Sequence, residues 1–280
     1  MAVSSIIALD LGAFTIKVAE FLVSRAGSLT LNKYAQVEYE TDPGKETDNS
    51  ETIIRVIRDL FAQNGIKNRR VAYAISGQSV FTKFIKLPPV ENPDKIKQII
   101  RYEAQQNVPF PIDQVVWDYQ LVALPDSPDL EVVLLAVKSE IIEELHRVIS
   151  HAGLKPVLAD VSPMALYNAF RYNYDDLADC TLVVDIGGRT TNLIFVEGNK
   201  FFSRSLPIGG NTITSSIANE LQVPFGEAET LKKTKGFVGL GGAYEEPSDP
   251  TVATLCKVIR QGMTKLHAEI SRSVNFYRTQ

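Results

Sequence analysis

Alternating apolar and polar residues mark the start of each half of this chain, and a period of two is typical of half-buried β-strands. Each half has three such stretches in succession: Ile6–Leu11, Thr15–Leu22 and Ser28–Val37 in the first, and Thr181–Ile186, Thr190–Val196 and Lys200–Leu206 in the second. Because few residues separate the stretches, we expect each set to form an antiparallel meander. The chain is therefore predicted to contain one three-stranded unit twice.

Apolar residues that recur every three or four positions predict helices elsewhere in the chain. The predicted helices are Ile53–Phe61, Asp94–Asn107, Glu140–Ala152, Ser162–Tyr172, Asn211–Leu221, Phe225–Lys235 and Val252–Tyr277, in which Gly262 is a weak point. Five further apolar stretches predict strands: Arg70–Ser76, Phe81–Leu87, Val115–Leu124, Leu130–Val137 and Pro156–Asp160. The Pro/Gly-containing segments Thr41–Ser50 and Gly236–Pro250 are predicted to be loops.

The order of these elements divides the chain into three units. We expect residues 1–79 and 154–180 to form a first domain and residues 181–280 to form a second. Residues 80–153 have the order β-α-β-β-α, which differs from the meander on either side. This segment is predicted to be a small α+β insert with its own sheet.

The first hairpin of each half carries the same polar residues at matching positions. Residues 7–16 read IALDLGAFTI and residues 182–191 read LVVDIGGRTT, so that Asp10, Gly12 and Thr15 align with Asp185, Gly187 and Thr190. Glycine in such a turn lets backbone N–H groups approach an anion such as phosphate. A carboxylate beside phosphate needs a cation or water between them, and this oxygen-rich surrounding suits Mg²⁺. One such turn is common, but its duplication predicts a nucleotide–Mg²⁺ site between the two halves.

Composition and charge narrow the range of functions. Apolar residues make up 45% of the 280 residues and charged residues 22%, which is enough for ordinary buried cores. The net charge of −4 argues against nucleic acid as a partner. Cys180 and Cys256 form no CxxC motif, and the three histidines lack metal-ligand spacing. We expect a cytoplasmic protein without direct membrane insertion, because the sequence has neither a signal peptide nor an apolar run of about 20 residues.

Longer segments in the middle and second half are more specific than the hairpins. They are residues 100–110 (IRYEAQQNVPF), 116–119 (VWDY), 185–191 (DIGGRTT), 204–210 (RSLPIGG) and 228–232 (AETLK). These segments resemble the PilM family of type IV pilus assembly proteins, to which the FtsA cell-division proteins are more distantly related. The resemblance implies an α/β, actin/Hsp70-like (ribonuclease H-like) fold of duplicated domains with a small α+β insert.

This resemblance also implies ATP and Mg²⁺ as cofactors, with Asp10 and Asp185 holding the hydrated metal ion. Two phosphate-binding loops, the two glycines before a helix and a ribose-binding pair would supply the remaining nucleotide contacts. These are Gly12, Ala13, Phe14, Thr15 and Lys17, then Gly187, Gly188, Arg189 and Thr190, then Gly209 and Gly210, and finally Glu229 and Lys232.

Two of these assignments have an equally simple structural explanation. Glu229 and Lys232 are three residues apart on a predicted helix, so they also fit an exposed helical ion pair. Gly209 and Gly210 also fit a plain strand-to-helix turn. The sequence alone leaves both alternatives open.

The chain departs from the family pattern in two respects. It ends at Gln280, before the strand and Gly-Gly turn that close over adenine in the family, so we expect a missing C-terminal segment and an incomplete adenine pocket. No residue clearly matches the one that positions water for hydrolysis. Asp160 is the nearest catalytic candidate, but a carboxylate at a helix entry explains it equally well. We therefore expect ATP binding with weak or no ATPase activity.

The resemblance implies a role in binding other pilus assembly proteins. The partner would be the N-terminal cytoplasmic peptide of a PilN-like inner-membrane protein, which would keep the chain at the membrane surface. This peptide would lie between the first domain and the insert, where an extended segment can pair with a strand edge. The implied contacts are Phe81, Phe84, Ile85, Tyr102, Val108 and Phe110. Apolar and aromatic residues such as these more often belong to a protein core.

Three functions of different classes follow from the sequence. The first is a nucleotide-binding scaffold of a pilus or related secretion machine. The second is a polymerising actin-like ATPase, which predicts ATP-dependent sedimentation. The third is a sugar-kinase-type phosphotransferase, which needs a catalytic aspartate facing a sugar pocket and has no such motif here. The insert and the motif set favour the scaffold.

Overall fold

A computed structural model of the protein describes residues 4–39, 49–87, 92–123, 130–174, 179–198, 200–238 and 247–279. Within these ranges the strands are β1 (Ser4–Leu11), β2 (Thr15–Val23), β3 (Leu29–Glu38), β4 (Arg70–Ile75), β5 (Val80–Leu87), β6 (Val115–Ala123), β7 (Leu130–Lys138), β8 (Lys155–Val161), β9 (Thr181–Ile186), β10 (Thr191–Glu197) and β11 (Lys200–Leu206). The helices are α1 (Ser50–Gln63), α2 (Pro93–Asn107), α3 (Ser139–His151), α4 (Ser162–Asn173), α5 (Gly210–Leu221), α6 (Phe225–Lys235) and α7 (Pro250–Arg278).

Each predicted strand and helix is present, with ends that differ from the prediction by only a few residues. The two predicted loops, Thr41–Ser50 and Gly236–Pro250, lie largely outside the described residues. Gly65 and Gly153 adopt left-handed backbone conformations, with φ of +59° and +83°, just after α1 and α3. Glycine adopts this conformation without steric cost, which explains why both helices end where they do.

The first half folds around a five-stranded sheet with the order β3-β2-β1-β4-β8. Strands β1 to β3 form an antiparallel meander, whereas β4 and β8 extend the sheet in parallel with β1. One face carries Ile7, Leu9 and Val18, which are buried against apolar residues of α1 and α3. This packing holds the C-terminal end of β1, and with it Asp10, on a rigid support.

The insert folds around a three-stranded antiparallel sheet with the order β5-β7-β6. One face of this sheet packs with α2 in a separate core that includes Ile100 and Leu134. The other face joins the main core through Val133 and Val137. Helix α3, which the sequence analysis grouped with the insert, contacts α1 and β8 beside the five-stranded sheet as well as β7.

The second half repeats the meander as a three-stranded sheet with the order β11-β10-β9. Helices α5, α6 and α7 pack together around Ile217, Ala228 and Leu255. Helix α7 runs without interruption through Gly262, where a Cβ would lie 2.9 Å from Cγ1 of Ile213. This glycine is therefore a close contact between α7 and α5 rather than the predicted weak point.

No helix in the described ranges is both long and apolar enough to cross a membrane. The fold is a mixed α/β architecture in which two equivalent meanders face each other, and it matches the duplicated fold predicted from the sequence.

Candidate functional site

The two duplicated hairpins are equivalent in backbone geometry. Asp10 pairs with Lys17 across β1 and β2, and Asp185 pairs with Asn192 across β9 and β10, so each aspartate faces the residue seven positions later. Each turn is closed by the same hydrogen bond, from Gly12 N to Thr15 O (3.1 Å) and from Gly187 N to Thr190 O (2.9 Å). The sequence repeat therefore corresponds to a structural repeat.

Both hairpins line one cavity of about 590 Å³ between the two halves of the molecule, which we call the cleft. Asp10 and Asp185 both line it, and helix α6 contributes Glu229 and Lys232 to its wall. Of the residues predicted to contact nucleotide, the lining includes Asp10, Gly12, Ala13, Phe14, Thr15, Lys17, Asp185, Gly187, Gly188, Arg189, Thr190, Gly210, Glu229 and Lys232. Fold geometry thus brings together residues that are more than 200 positions apart.

The two aspartates have different partners. Lys17 Nζ donates to Asp10 Oδ2 at 2.9 Å, which forms a half-exposed ion pair. Burial lowers the pKa of Lys17, but the hydrogen bond to Asp10 and the charges of Asp10 and Asp185 outweigh it, so the pKa is raised and the ammonium group stays charged. Asp185 Oδ2 instead accepts a hydrogen bond of 3.0 Å from the neutral amide of Asn192. The charge of Asp185 is therefore oriented but not neutralised by this contact.

Asn192 is itself held in place by the next strand. It is only 5% exposed, and its Oδ1 accepts a hydrogen bond of 2.6 Å from Ser205 of β11. Gly77 lies against this pair, because a Cβ there would be 2.4 Å from Ser205 Oγ and 2.8 Å from Asn192 Oδ1. The Ser205–Asn192–Asp185 chain thus fixes the second carboxylate from behind the cleft.

The start of α5 is joined by backbone hydrogen bonds to the second loop, the turn of residues 187–190 between β9 and β10. Gly210 N donates to Gly187 O (2.9 Å) and Asn211 N donates to Gly188 O (2.7 Å). A Cβ at Gly209 would lie 2.6 Å from both carbonyl oxygens, so only glycine allows this approach. Gly209 therefore supports the loop from behind the cavity wall, and the first N–H groups of α5 are directed at the loop.

Glu229 and Lys232 form an ion pair in the cleft wall rather than an exposed pair. Lys232 Nζ lies 2.6 Å from Glu229 Oε2, and the two side chains are only 20% and 12% exposed. Thr214 of α5 is fully buried and contacts both of them. The exposed-pair alternative that the sequence left open does not describe this geometry.

A second contact of α6 links the two halves beside Phe14, which lines the cleft. Lys233 Nζ lies 2.7 Å from Glu38 Oε2 of β3 and 4.8 Å from the centre of the Phe14 ring. Phe14 in turn approaches the second loop, since a Cβ on Gly188 would lie 3.0 Å from Phe14 Cβ. These contacts hold the first loop and α6 in register across the cleft.

Several cleft residues were missed by the sequence analysis: Tyr39, Asn49, Ser76, Gln78, Ser79, Ser162, Asn192 and Asn211. Tyr39 donates from its hydroxyl to Gly12 O at 2.6 Å, which supports the first loop. Burial raises the pKa of Tyr39, Arg189 lowers it, and Asp10 adds a further increase. Asn192 alone had a sequence signal, because it occupies the position equivalent to Lys17 in the repeat.

Asp160 lies beside the cleft in a second, more apolar cavity of about 430 Å³, which also includes Asp10, Lys17 and Asp185. Its Oδ1 accepts a hydrogen bond of 2.7 Å from the backbone N–H of Val161. Burial raises the pKa of the Asp160 carboxyl group, and the bond from Val161 opposes this effect. Ser162, two residues later, lines the cleft itself.

The residues predicted to contact a partner have very different environments. Ile85 and Val108 are only 8% and 7% exposed and belong to the core of the insert, while Phe81 packs against that core. A partner would reach Ile85 and Val108 only by displacing α2. Tyr102 and Phe110 are 61% and 38% exposed, and Phe84 is half-buried. The insert therefore exposes aromatic side chains at Tyr102 and Phe110, apart from the half-buried Phe84.

The half-buried Phe84 lines a groove of about 780 Å³ between β5 and the end of α7, which we call the β5–α7 groove. Phe202 lines it, and the Phe202 ring lies 5.6 Å from the ring of Phe84 and 5.8 Å from that of Phe276. Tyr277 donates to Glu197 Oε2 at 2.9 Å, and burial is the main cause of its raised pKa. Four basic side chains also line it: Lys83, Lys86, Lys200 and Arg278.

The described residues contain no group of three or more His, Cys, Asp or Glu side chains that could hold a metal ion by themselves. Asp10 and Asp185 supply two carboxylates to one cavity. Mg²⁺ is commonly bound by one or two carboxylates together with water and substrate phosphates. The cleft therefore fits Mg²⁺ only as the companion of a phosphate ligand.

Comparison with known proteins gives consistent matches. The sequence model of the family described as "Type IV pilus assembly protein PilM" matches residues 8–280. The cell division protein FtsA of Neisseria meningitidis serogroup B is 30% identical over 126 residues, which are 42% of this chain and 30% of that protein. This chain thus matches less than a third of the length of that FtsA protein.

Solved structures agree with the sequence matches. A structure titled "PilM-PilN type IV pilus biogenesis complex" has a TM-score of 0.80 and 25% identity, and the match covers 98% of this chain and 77% of that one. MreB5 of Spiroplasma citri bound to ADP has a TM-score of 0.52 and 15% identity, with 97% and 79% of the two chains covered. The fold is therefore actin-like.

Proposed function

The chain belongs to the PilM family of type IV pilus assembly proteins, and we propose that it is a nucleotide-binding scaffold of the pilus assembly platform. The observation that carries this proposal is that Asp10, Asp185 and both glycine turns line one cleft. Backbone N–H groups of the turns would bind phosphate, and the two carboxylates would hold hydrated Mg²⁺ beside it. The proposed ligand is MgATP.

We further propose that turnover of the nucleotide is negligible. Hydrolysis requires a group that positions or deprotonates the attacking water. Asp160, our candidate for this role, lines the neighbouring cavity. The hydroxyl-bearing Ser162 lines both this cavity and the cleft. A neutral hydroxyl is a poor base, so the site is better suited to holding ATP than to hydrolysing it.

Calorimetric titration tests the nucleotide proposal directly. We expect ATP to bind with an affinity that rises when Mg²⁺ is added, and phosphate release to stay at the background rate over hours. Heat changes that are absent with both ATP and MgATP would rule out the proposal. Steady ATP hydrolysis with ATP-dependent sedimentation would instead favour the polymerising ATPase.

The proposed partner is the N-terminal cytoplasmic peptide of a PilN-like inner-membrane protein, and the insert at residues 80–153 is the proposed binding unit. The structure titled "PilM-PilN type IV pilus biogenesis complex" supports this choice for a family member. Such a partner would hold the chain peripherally at the inner membrane, where it could contact other assembly proteins. Among the described strands of the insert sheet, β5 is at an edge and pairs only with β7.

We propose the β5–α7 groove as the peptide site. An extended peptide can add to the free edge of β5 through main-chain hydrogen bonds. Its apolar side chains would then contact Phe84 and Phe202, whose rings line the groove beside the strand. This location lies between the insert and the second half, whereas the resemblance implied a position between the insert and the first domain. The exposed Tyr102 and Phe110 are the competing contacts.

Replacing Phe276 with alanine is expected to weaken binding of the PilN-like peptide about tenfold, because a few large side chains that become buried on binding often dominate the binding energy. Phe276 is 46% exposed, so its removal has little effect on the folded state. Phe110→Ala, at 38% exposure on the other surface, is the matched variant. Fluorescence anisotropy of a labelled peptide measures both. Loss of binding in F110A alone would move the site to the Tyr102 and Phe110 surface.

A further inference from the structure

Two of the sequence segments that resemble the family, residues 100–110 and 116–119, line neither the cleft nor the β5–α7 groove. They meet in a third cavity of about 610 Å³, lined by residues of α2 and β6, which we call the α2–β6 groove. Its described lining includes Arg101 and Gln105 from the first segment, and Trp117 and Tyr119 from the second. The fold therefore joins both segments into one surface that neither proposed binding site uses.

The α2–β6 groove carries more positive than negative charge. Lys97 and Arg101 both line it and are exposed about one helical turn apart on α2. Neither forms an ion pair with a residue that the structure describes. Asp113 is the one acidic residue of the described lining, so two cations accompany one carboxylate in a chain whose net charge is −4. This local reversal of charge suits an anionic ligand.

Two aromatic side chains, Trp117 and Tyr119, line the same groove as these cations. Both are half-buried and pack against the core of the insert, so part of each ring is held in place while the rest lines the groove. Tryptophan and tyrosine side chains often dominate binding energy, because they bury a large area at little cost in side-chain entropy. The α2–β6 groove thus combines a fixed apolar surface with exposed positive charge.

Strand β6 has a free edge beside this groove. Among the described strands of the insert it pairs only with β7, over all of Val115–Ala123 and without a bulge. Proteins commonly protect such edges with proline, lysine or a bulge. Strand β6 reads VVWDYQLVA and has none of these, with Asp118 as its one charged residue. Its edge is therefore open to pairing with another strand.

We propose that the α2–β6 groove binds an extended acidic segment of a protein partner, which adds to the edge of β6 as a further strand of the insert sheet. Side chains alternate between the two faces of a strand, and those on the α2 side would meet Lys97 and Arg101. Acidic residues at every second position would pair with these cations, while their aliphatic carbons contact Trp117 and Tyr119. This contact is additional to nucleotide binding and to the PilN-like peptide, and it rests on neither.

Trp117 is the only tryptophan of the chain, so its fluorescence reports on this groove directly. The probe is a short synthetic peptide that alternates glutamate and threonine and contains no tryptophan. We expect it to shift the emission of Trp117, with an affinity that falls as salt is added. The same peptide with lysine in place of glutamate should leave the emission unchanged. An emission that responds to neither peptide, or equally to both, would overturn the proposal.

Reversing both charges of the groove, in the double variant K97E with R101E, is expected to weaken binding of the glutamate peptide about tenfold or more. Both side chains are exposed, so the fold should be retained. The matched control is K67E with R70E, which reverses an exposed lysine and an exposed arginine outside the insert and should bind the peptide like the wild type. Equal losses in the two double variants would show that net charge alone drives binding, and would contradict a site in the groove.

Two measurements test the kind of ligand. Hydrogen exchange of the amide groups at the β6 edge should slow when the glutamate peptide is bound, and unchanged exchange would exclude strand addition. Vesicles of phosphatidylglycerol present negative charge without a polypeptide main chain. If they shift the emission of Trp117 as strongly as the peptide does, the groove binds a membrane surface and the proposed protein partner is wrong.

Discussion

Replacing Gly209 with alanine is expected to abolish nucleotide binding and to lower the free energy of unfolding by about 1–3 kcal/mol. The new Cβ would lie 2.6 Å from the carbonyl oxygens of Gly187 and Gly188 and 2.8 Å from the carbonyl carbon of Gly188. These are backbone atoms, so no side-chain rotation can relieve the clash. The second loop and the start of α5 would have to separate.

That separation breaks the hydrogen bonds that shape the loop, from Gly210 N to Gly187 O and from Asn211 N to Gly188 O. Gly210→Ala is the matched control for stability, because its Cβ would lie 3.6 Å from Lys232 Nζ and 3.9 Å from Gly187 O, which are ordinary contacts. Urea denaturation and calorimetry with MgATP measure the two effects. Wild-type binding by G209A would show that the loop does not need this close approach.

The fold was largely predictable because its determinants are local. The period of two in the meanders and the apolar stripe of the helices are visible without any knowledge of the tertiary structure. The position of α3 is less local, since its contacts with α1 and β8 depend on how the chain returns after the insert. A helix between two strands of one parallel sheet packs back on that sheet whatever precedes it in sequence.

Of the cleft, only the two repeated hairpins could be predicted from local sequence. Asp10 and Asp185 could be found because the sequence repeats. When the same hairpin forms twice, matching residues occupy the same position in each copy. The hydrogen bonds that orient the site join residues with no sequence signal, such as Tyr39 to Gly12 and Ser205 to Asn192. Polar partners of this kind are decided by the packing of separate elements, so sequence patterns alone do not reveal them.

Replacing Asp185 with asparagine is expected to lower the affinity for MgATP about tenfold or more while leaving metal-free ATP binding nearly unchanged or slightly stronger. The carboxylate attracts Mg²⁺ and repels phosphate. Without it, adding Mg²⁺ should increase the affinity for ATP much less. Asparagine can still accept the hydrogen bond from Asn192 Nδ2, which preserves the local structure. The ratio of affinities with Mg²⁺ and with EDTA is the quantity to measure by calorimetry.

Asp10→Asn is expected to act differently, because Asp10 is paired with Lys17 at 2.9 Å whereas Asp185 is paired with a neutral amide. Neutralising Asp10 frees the Lys17 ammonium for phosphate, so metal-free ATP should bind more tightly than to the wild-type chain. For the same reason, the affinity for MgATP should fall less in D10N than in D185N. Asp59→Asn, on the exposed face of α1, controls for the change in net charge. Equal metal dependence in all three variants would mean that neither carboxylate faces the metal ion, and the two hairpins would then be structural turns.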